Sequence, residues 1–524
     1  MNKKKSIVFF GIILLAFVLR FYKLGEIPLS LNWDENSNAY NAYSILKTGR
    51  DQYGTFLPLT NRSFDDYKPP LYMYLNVPAV AIFGLTPFAA RLPSALLGFL
   101  TVPIFYFFVK KLTGQEKVAL IATFFLAISP WHIQFSRIGF EATVGLFTLL
   151  AATATLIYGL QNRKLLIASS ILFGLSIYSY HTQRILAPAI LLATVLIWRR
   201  EILSIPKKYL AAFIIIGLLI VLPLAIFTPR NVLLKRLETT TSNAALDDIN
   251  KSIKFIEQDQ AAGLPLAKII NNRRIMIGKT YLSNYISHFD PNFLFIRGDD
   301  NFRHHVNNMG MIYLFQLPLL ILGVVSLAKY KNKSKYFILA LLILSPIAAA
   351  PASPSPHAVR SLPMVIALEI ISAFGILYLL SIKFRGKILL TMALVCWMTL
   401  SVLIYFENYW RHYPYDFASF WQFGYSQAAQ QTEKVKGQYD KINIDRTLEQ
   451  AYIFWLFNTK YDPAHYQQSG SSNHFDKYYF DAKPPASQRE LFVSDSKVFP
   501  QGFDIIATIQ SPEGDSSILI GHPK

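Results

Sequence analysis

Asp34 and Glu35 stand side by side in Leu31-Asn32-Trp33-Asp34-Glu35-Asn36, beside an aromatic ring and shortly after a strongly apolar run. A carboxylate near a low-dielectric surface is more basic than in water, which suits it to take a proton from a hydroxyl. The same residues also suit a helix start, with Asp34 as N-cap and Asn36 and Asn38 nearby. Four arginines occupy otherwise uncharged stretches: Arg91 in Ala90-Arg91-Leu92-Pro93-Ser94, Arg137 after Ser129-Pro130-Trp131-His132, Arg184 in Tyr180-His181-Thr182-Gln183-Arg184, and Arg360 in Ser355-Pro356-His357-Ala358-Val359-Arg360. Guanidinium binds phosphate bidentately and stays charged when partly desolvated. Together the four suggest a phosphate-binding rim; singly, each would also serve as a snorkelling anchor.

The elements that must position these groups are membrane helices. The chain has 524 residues, 52% hydrophobic and 16% charged, with mean hydropathy +0.31. A bilayer core needs roughly 20 apolar residues per helix. Such runs fall at 6–22, 92–109, 118–131, 141–160, 165–180, 185–198, 209–227, 311–328, 336–350, 363–380 and 388–406. Alternate connections are rich in Lys and Arg, among them Lys3 to Lys5, Lys110/Lys111/Lys117, Arg199/Arg200/Lys207/Lys208 and Lys383/Arg385/Lys387. The positive-inside rule places these in the cytoplasm, with the N-terminus. An odd number of spans sends the C-terminus outside, and the lone arginines fall on that outer side. The expectation is an all-α polytopic domain of about eleven spans over 1–406, with outer loops 23–91 and 228–310, and a small extracytoplasmic α/β domain over 407–524. Leu71 to Leu85, broken by Pro78, reads as an interfacial helix. The first helix, lacking a small-residue cleavage site, reads as uncleaved.

The formal charge of +19 follows the loops, so it points to the lipid bilayer and not to nucleic acid. Cys396 is the only cysteine, which excludes an intrachain disulfide and a Cys-based zinc site.

The first loop continues through Phe64-Asp65-Asp66-Tyr67-Lys68-Pro69-Pro70-Leu71 and ends at Ala90-Arg91-Leu92-Pro93-Ser94-Ala95-Leu96-Leu97-Gly98. The order Asp-Glu after the first span, then Lys-Pro-Pro-Leu, then Arg-Leu-Pro-Ser-Ala-Leu-Leu-Gly resembles the protein O-mannosyltransferase and aminoarabinose-transferase superfamily. These are membrane glycosyltransferases of the C-type fold that use polyprenyl-phosphate sugars. The likeness is specific over residues 30–145 and looser to about 410. It implies Asp34 as the base that activates an acceptor hydroxyl, with Glu35 as helper, and Lys68 and Arg91 near the lipid phosphate. The mannosyltransferases carry Ser-Arg followed by an acid at the second outer turn, here Ser136-Arg137-Ile138-Gly139-Phe140-Glu141, so Glu141 would orient the site or contact the acceptor. Where aminoarabinose transferases have Glu before Lys-Pro-Pro, this chain has Tyr67. No obligatory metal is therefore expected.

Gly298-Asp299-Asp300-Asn301-Phe302-Arg303-His304-His305 matches no standard metal spacing. A polar lid is the favoured reading over a divalent ion, with Arg303 and His305, like Trp33 and His181, as candidate substrate contacts. Glu369 lies mid-span, where a carboxylate is costly. The tail carries no nucleophile motif and no Gly-rich phosphate loop. The leading expectation is an inverting glycosyltransferase of the cell (inner) membrane. It would move one sugar from a polyprenyl phosphate to a glycan, lipid or protein acceptor, with Arg137, Arg184 and Arg360 joining Lys68 and Arg91 on the phosphate. A polysaccharide polymerase or ligase shares the arginines without needing the early acidic pair. A transporter or flippase would show internal repeats and midplane polar residues, which are not evident.

Overall fold

The computed structural model describes residues 3–64, 66–514 and 517–524, and the side chains of all of these except 233–245. Each of the eleven apolar segments overlaps a helix, though 118–131 is broken at Ser129, 311–328 is helical from Gln316 and 336–350 as far as Leu344. Among the described residues, five helices are long and apolar enough to cross a membrane: Pro87–Thr113, Glu141–Gly159, Lys207–Phe227, Met364–Ser381 and Lys387–Asp416. Glu116–Ile128 and Pro130–Arg137, bent by 54°, make a sixth if taken as one span. Leu165–Ile177, Gln183–Ile197, Gln316–Lys329 and Ser334–Leu344 are apolar but shorter. The chain is a multi-pass membrane protein. Residues 228–310, expected as a polar loop, are largely helical, with helices Arg230–Ala261 and Arg273–Ser287. The first of these contains neither Gly nor Pro to interrupt it.

The chain divides into two compact units, one of residues 1–19, 97–135 and 142–405, the other of residues 20–96, 136–141 and 406–524.

In the first unit, helices Gln316–Lys329 and Met364–Ser381 touch backbone to backbone. A Cβ at Gly323 would overlap Ile371 O, and one at Gly375 would overlap Leu319 O. Small residues permit this approach where there is no hydrophobic drive between helices in lipid. Between the same helices, Gln316 Nε2 donates to Glu369 Oε2 at 2.6 Å and to Ser372 Oγ at 3.3 Å. The mid-span carboxylate is thus a partnered interhelical group. Gly375→Leu should abolish the monodisperse peak of detergent-solubilised protein in size-exclusion chromatography. A variant eluting like the parent would contradict so close a contact.

In the second unit, helix α1 (Trp33–Thr48) lies against helix α2 (Leu71–Phe83), with the hairpin β1–β2 (Asn61–Ser63, Asp66–Lys68) between them in sequence. The tail forms a mixed six-stranded sheet. Its strands are β3 (Lys441–Asp445), β4 (His474–Phe475), β5 (Tyr478–Ala482), β6 (Glu490–Asp495), β7 (Phe503–Gln510) and β8 (Ser517–Pro523), in the order β4-β5-β3-β6-β8-β7. β3 is parallel to both neighbours and buries Ile442 and Ile444, as a central parallel strand should. Helix α3 (Ala451–Asn458), apolar on all sides, packs on α1. Tyr40 donates to Tyr461 O at 3.0 Å, and Gln467 Nε2 donates to Ser44 Oγ, Thr48 Oγ1 and Asp51 O within 3.0 Å. The sheet thereby holds the helix that carries the acidic pair.

Candidate active site

Asn32, not Asp34, caps α1. Its side chain accepts from Glu35 N at 2.9 Å, and Glu35 Oε2 accepts from Asn32 N at 3.1 Å. This reciprocal capping box ties up the Glu35 side chain and leaves Asp34 one position earlier, pointing elsewhere. The helix that follows is unusual in burying Asn36, Ser37, Asn38, Asn41 and Ser44. Buried polar groups of this density must be satisfied. Asn36 donates to Asn32 O at 2.9 Å, Asn41 to Ser37 O at 2.9 Å, and Ser37 pairs with Ser63 at 3.0 Å.

Glu35 and Arg91 form a fully buried ion pair, Nε to Oε1 at 2.9 Å. The remaining Arg91 donors reach Leu24 O, Pro28 O, Ser30 O and Glu35 Oε2. Glu35 Oε1 also accepts from Gly139 N at 2.7 Å. A Cβ at Gly139 would come within 3.0 Å of Glu35 Cγ and 3.1 Å of Ala90 O, which gives the glycine in Ser-Arg-Ile-Gly-Phe-Glu its reason. Arg137 is equally buried. It donates to Tyr409 Oη at 3.1 Å and to Arg20 O at 3.3 Å, and lies over the rings of Tyr409 and Trp410. Both arginines were expected on the donor phosphate and Glu35 was expected to help the base. In this structure, hydrogen bonds from both arginines reach protein groups, among them the loop carbonyls of Leu24, Pro28 and Ser30 for Arg91 and that of Arg20 for Arg137.

What stays accessible is smaller. Lys68 Nζ pairs with Asp34 Oδ1, with side chains 14% and 28% exposed. Behind this pair the buried Glu141, at the head of its helix, accepts from Asn38 Nδ2 at 3.0 Å, and Asn38 Oδ1 accepts from Asn61 Nδ2 at 2.9 Å. Burial would lower the Lys68 pKa, but the nearby carboxylates of Asp34 and Glu141 outweigh it and hold the ammonium above its ordinary range. Asp34, Lys68 and Glu141 therefore form one electrostatic group, with Trp33 beside it, stacked edge-on to Phe64 at 6.4 Å between ring centroids. Asn38 and Asn61 were not singled out as site residues, and an Asn between two polar residues on a short helix carries no signal for it.

The remaining candidates belong to the other unit. His181 lies half-buried in the turn before helix Gln183–Ile197, Arg184 is half-buried at that helix's start, and Arg360 is half-buried in the single turn Ala358–Ser361. The Arg303 side chain reaches back to Asn301 Oδ1 at 3.3 Å. His305 is buried with both ring nitrogens facing carbonyls, Val306 O at 2.9 Å and Asp299 O at 2.8 Å. Its neighbours hold the more interesting geometry. Asp299 Oδ2 meets His304 Nδ1 at 2.7 Å and Ala358 N at 2.8 Å. Among the described residues, ligand-type atoms of Asp299, His304 and His357 lie within 4.8 Å of one another, close enough to be drawn onto a cation. Burial raises the Asp299 carboxyl, but His304 and further donors overcome this and hold it at about 2. Burial and Arg360 push His357 well below the ordinary histidine range. Sequence reasoning named the Gly-Asp-Asp to His-His run but could not supply His357, which joins it from 52 residues beyond His305.

Residues 67–227 match the family model described as dolichyl-phosphate-mannose-protein mannosyltransferase. The crystal structure of ArnT from Cupriavidus metallidurans bound to undecaprenyl phosphate superposes with TM-score 0.56 at 12% identity, covering 99% of this chain and 98% of that one. At that identity the likeness shows a shared fold, the C-type fold. The Archaeoglobus fulgidus oligosaccharyltransferase tethered with an acceptor peptide containing the NVT sequon shares this C-type fold at TM-score 0.52 and 14% identity, over 87% of this chain and 63% of that one. An uncharacterized protein of Aquifex aeolicus (strain VF5) is 31% identical over 210 residues, which are 40% of this chain and 47% of that relative. A second from the same source is 29% identical over 132 residues, 25% of each. The chain thus spans less than half the length of the curated relatives it matches. The family match takes in Lys68, Arg91, Arg137, Glu141 and Arg184, while Asp34 and Glu35 precede it.

Proposed function

We propose that this protein is a glycosyltransferase that moves one sugar, with inversion, from a polyprenyl phosphate to an acceptor hydroxyl at the outer face of the cell membrane. The observation that carries the reading is the partly exposed Asp34 carboxylate paired with Lys68, whose ammonium Glu141 also stabilises. Its backbone is fixed by the buried Glu35–Arg91 pair next to it. Asp34 takes the proton as the acceptor oxygen attacks the anomeric carbon. The bond from that carbon to the phosphate oxygen breaks, and the phosphate keeps the electron pair. Lys68 leaves Asp34 for this growing negative charge, which frees the carboxylate oxygen as the base is needed, so one cation serves both steps. Stabilising the developing charge usually contributes more to such catalysis than any other single effect. Glu141, oriented by Asn38, holds the acceptor or Lys68 in place. Arg184 and Arg360 remain proposed phosphate contacts; Arg91 and Arg137 act as positioning residues. Eleven spans, an inside N-terminus and an outside sheet domain complete the proposal, on the Lys/Arg pattern of the connections.

The test is incubation of the full chain in proteoliposomes with polyprenyl phosphate carrying a radiolabelled sugar and a panel of glycan, glycolipid and peptide acceptors. Label appearing in an acceptor together with free polyprenyl phosphate supports the proposal. Label that crosses the bilayer still on its lipid, with no acceptor labelled, overturns it in favour of transport.

A further inference from the structure

The second unit has an open cleft of about 580 Å³ between the β1–β2 hairpin and the sheet domain. That volume suits a small ligand; such sites span about 300–1,000 Å³. Tyr53, Phe64, Tyr452 and Phe480 supply aromatic walls. Arg62, Arg446, Glu449 and Asp481 supply charges at its exposed edge, two of each sign. The Arg62 guanidinium lies 4.4 Å over the Tyr53 ring, and the hydroxyls of Tyr53 and Tyr452 meet at 3.3 Å.

Three lining residues that are not glycine hold left-handed backbone: Phe64 at φ 60°, Gln450 at φ 55° and Asp481 at φ 55°. Residues with side chains seldom adopt this conformation, a bulky aromatic least of all, and it persists where the surroundings dictate it, often at ligand clamps. Phe64 also connects this cavity with the acidic site. Its ring lies edge-to-face with Tyr452 at 6.0 Å and with Trp33 at 6.4 Å between centroids, Trp33 being next to Asp34 in the chain.

We propose that this cavity binds an uncharged sugar unit of the acceptor. Aromatic faces suit the apolar C–H side of a pyranose, and forked guanidinium and carboxylate groups suit adjacent hydroxyls. The balance of two arginines and two carboxylates gives no net attraction for an anion, which separates this cavity from a phosphate site. The designation "acceptor" rests on the proposed transfer reaction; the binding of a neutral sugar does not. A free glycan and a glycolipid present the same sugar chemistry to it.

The full chain in nanodiscs, without donor, is passed over immobilised neutral hexose and N-acetylhexosamine oligosaccharides, over sialylated and phosphorylated glycans, and over neutral glycolipids in supported bilayers. Retention on neutral glycans, on glycolipids, or on both supports the proposal and identifies the source. Asp481→Ala and Arg446→Ala, both at exposed positions, should each lower retention about tenfold, the scale of one or two hydrogen bonds to a charged group. Asp481→Asn should lower it less than Asp481→Ala. No retention of neutral glycans by the parent, retention of acidic glycans alone, or equal retention by parent and both alanine variants would overturn it. Because no turnover is involved, those outcomes remove the cavity's role and leave the transfer reaction standing. Absence of transfer with every donor and acceptor would do the reverse.

Discussion

Asp34→Asn is expected to lower the rate of the proposed sugar transfer by about 10²–10⁴, the usual contribution of a positioned general base. The substitution keeps shape and removes only basicity and charge. Asp34 sits on the second helical position of α1 and plays no part in the cap, which Asn32 and Glu35 complete without it. The helix and the buried pair beside it should therefore survive, and the thermal midpoint should stay near the parental one. The loss should fall on kcat, because in the proposed reaction the proton is taken only as the acceptor oxygen attacks. Lys68, relieved of its partner, is if anything freer to meet the donor phosphate, so the donor KM should not rise. Transfer at the parental rate would show that another group accepts the proton, with Glu141 the nearest alternative through its shared influence on Lys68.

Arg91→Leu has its large effect on folding. Glu35 would keep a buried carboxylate with Asn32 N and Gly139 N as donors but no counter-charge, and Leu24, Pro28 and Ser30 would lose donors to their carbonyls. Removing one member of a buried pair costs about 3–5 kcal/mol. The single variant should lose most of its heat-resistant fraction in fluorescence-detected size-exclusion chromatography. The pair Glu35→Gln with Arg91→Met, which leaves no charge behind, should recover part of it. This comparison separates two roles for the arginine. A donor ligand, as the sequence suggested, would leave the parental melting profile and weaken polyprenyl-phosphate binding alone.

The contrast between Arg91 and Lys68 shows what a sequence yields here. Charge out of place on the outer side of a membrane protein marks a cation that must be paired, and all the lone cations had that signature. Whether the partner is a ligand or the protein depends on the backbone carbonyls of residues 24–30 and on Glu35, which only the folded loop brings to Arg91. Helix positions were legible because apolar runs of span length have few other uses. Crossing was less so, since helices such as Leu165–Ile177 and Ser334–Leu344 are apolar but short. In the tail, short apolar stretches in the sequence mark β3 at Ile442 and Ile444, β6 at Leu491 to Val493 and β7 at Ile505 and Ile506. β5 and β4 were hidden in the aromatic run around Tyr478–Ala482, and helix Tyr425–Val435, polar on its outer face, gave no apolar stretch to find. Asn38 and His357 were invisible for a shared reason: each takes its meaning from a residue far along the chain, Glu141 for one and Asp299 for the other.

The most direct measurement is the anomeric configuration of the product, read by NMR in a single turnover with polyprenyl phosphate bearing a sugar labelled with ¹³C at C1. Direct attack by an acceptor oxygen deprotonated at Asp34 predicts an inverted anomer, formed in step with release of polyprenyl phosphate and lost in Asp34→Asn. A retained anomer, or an inverted one formed equally fast by Asp34→Asn, would contradict it.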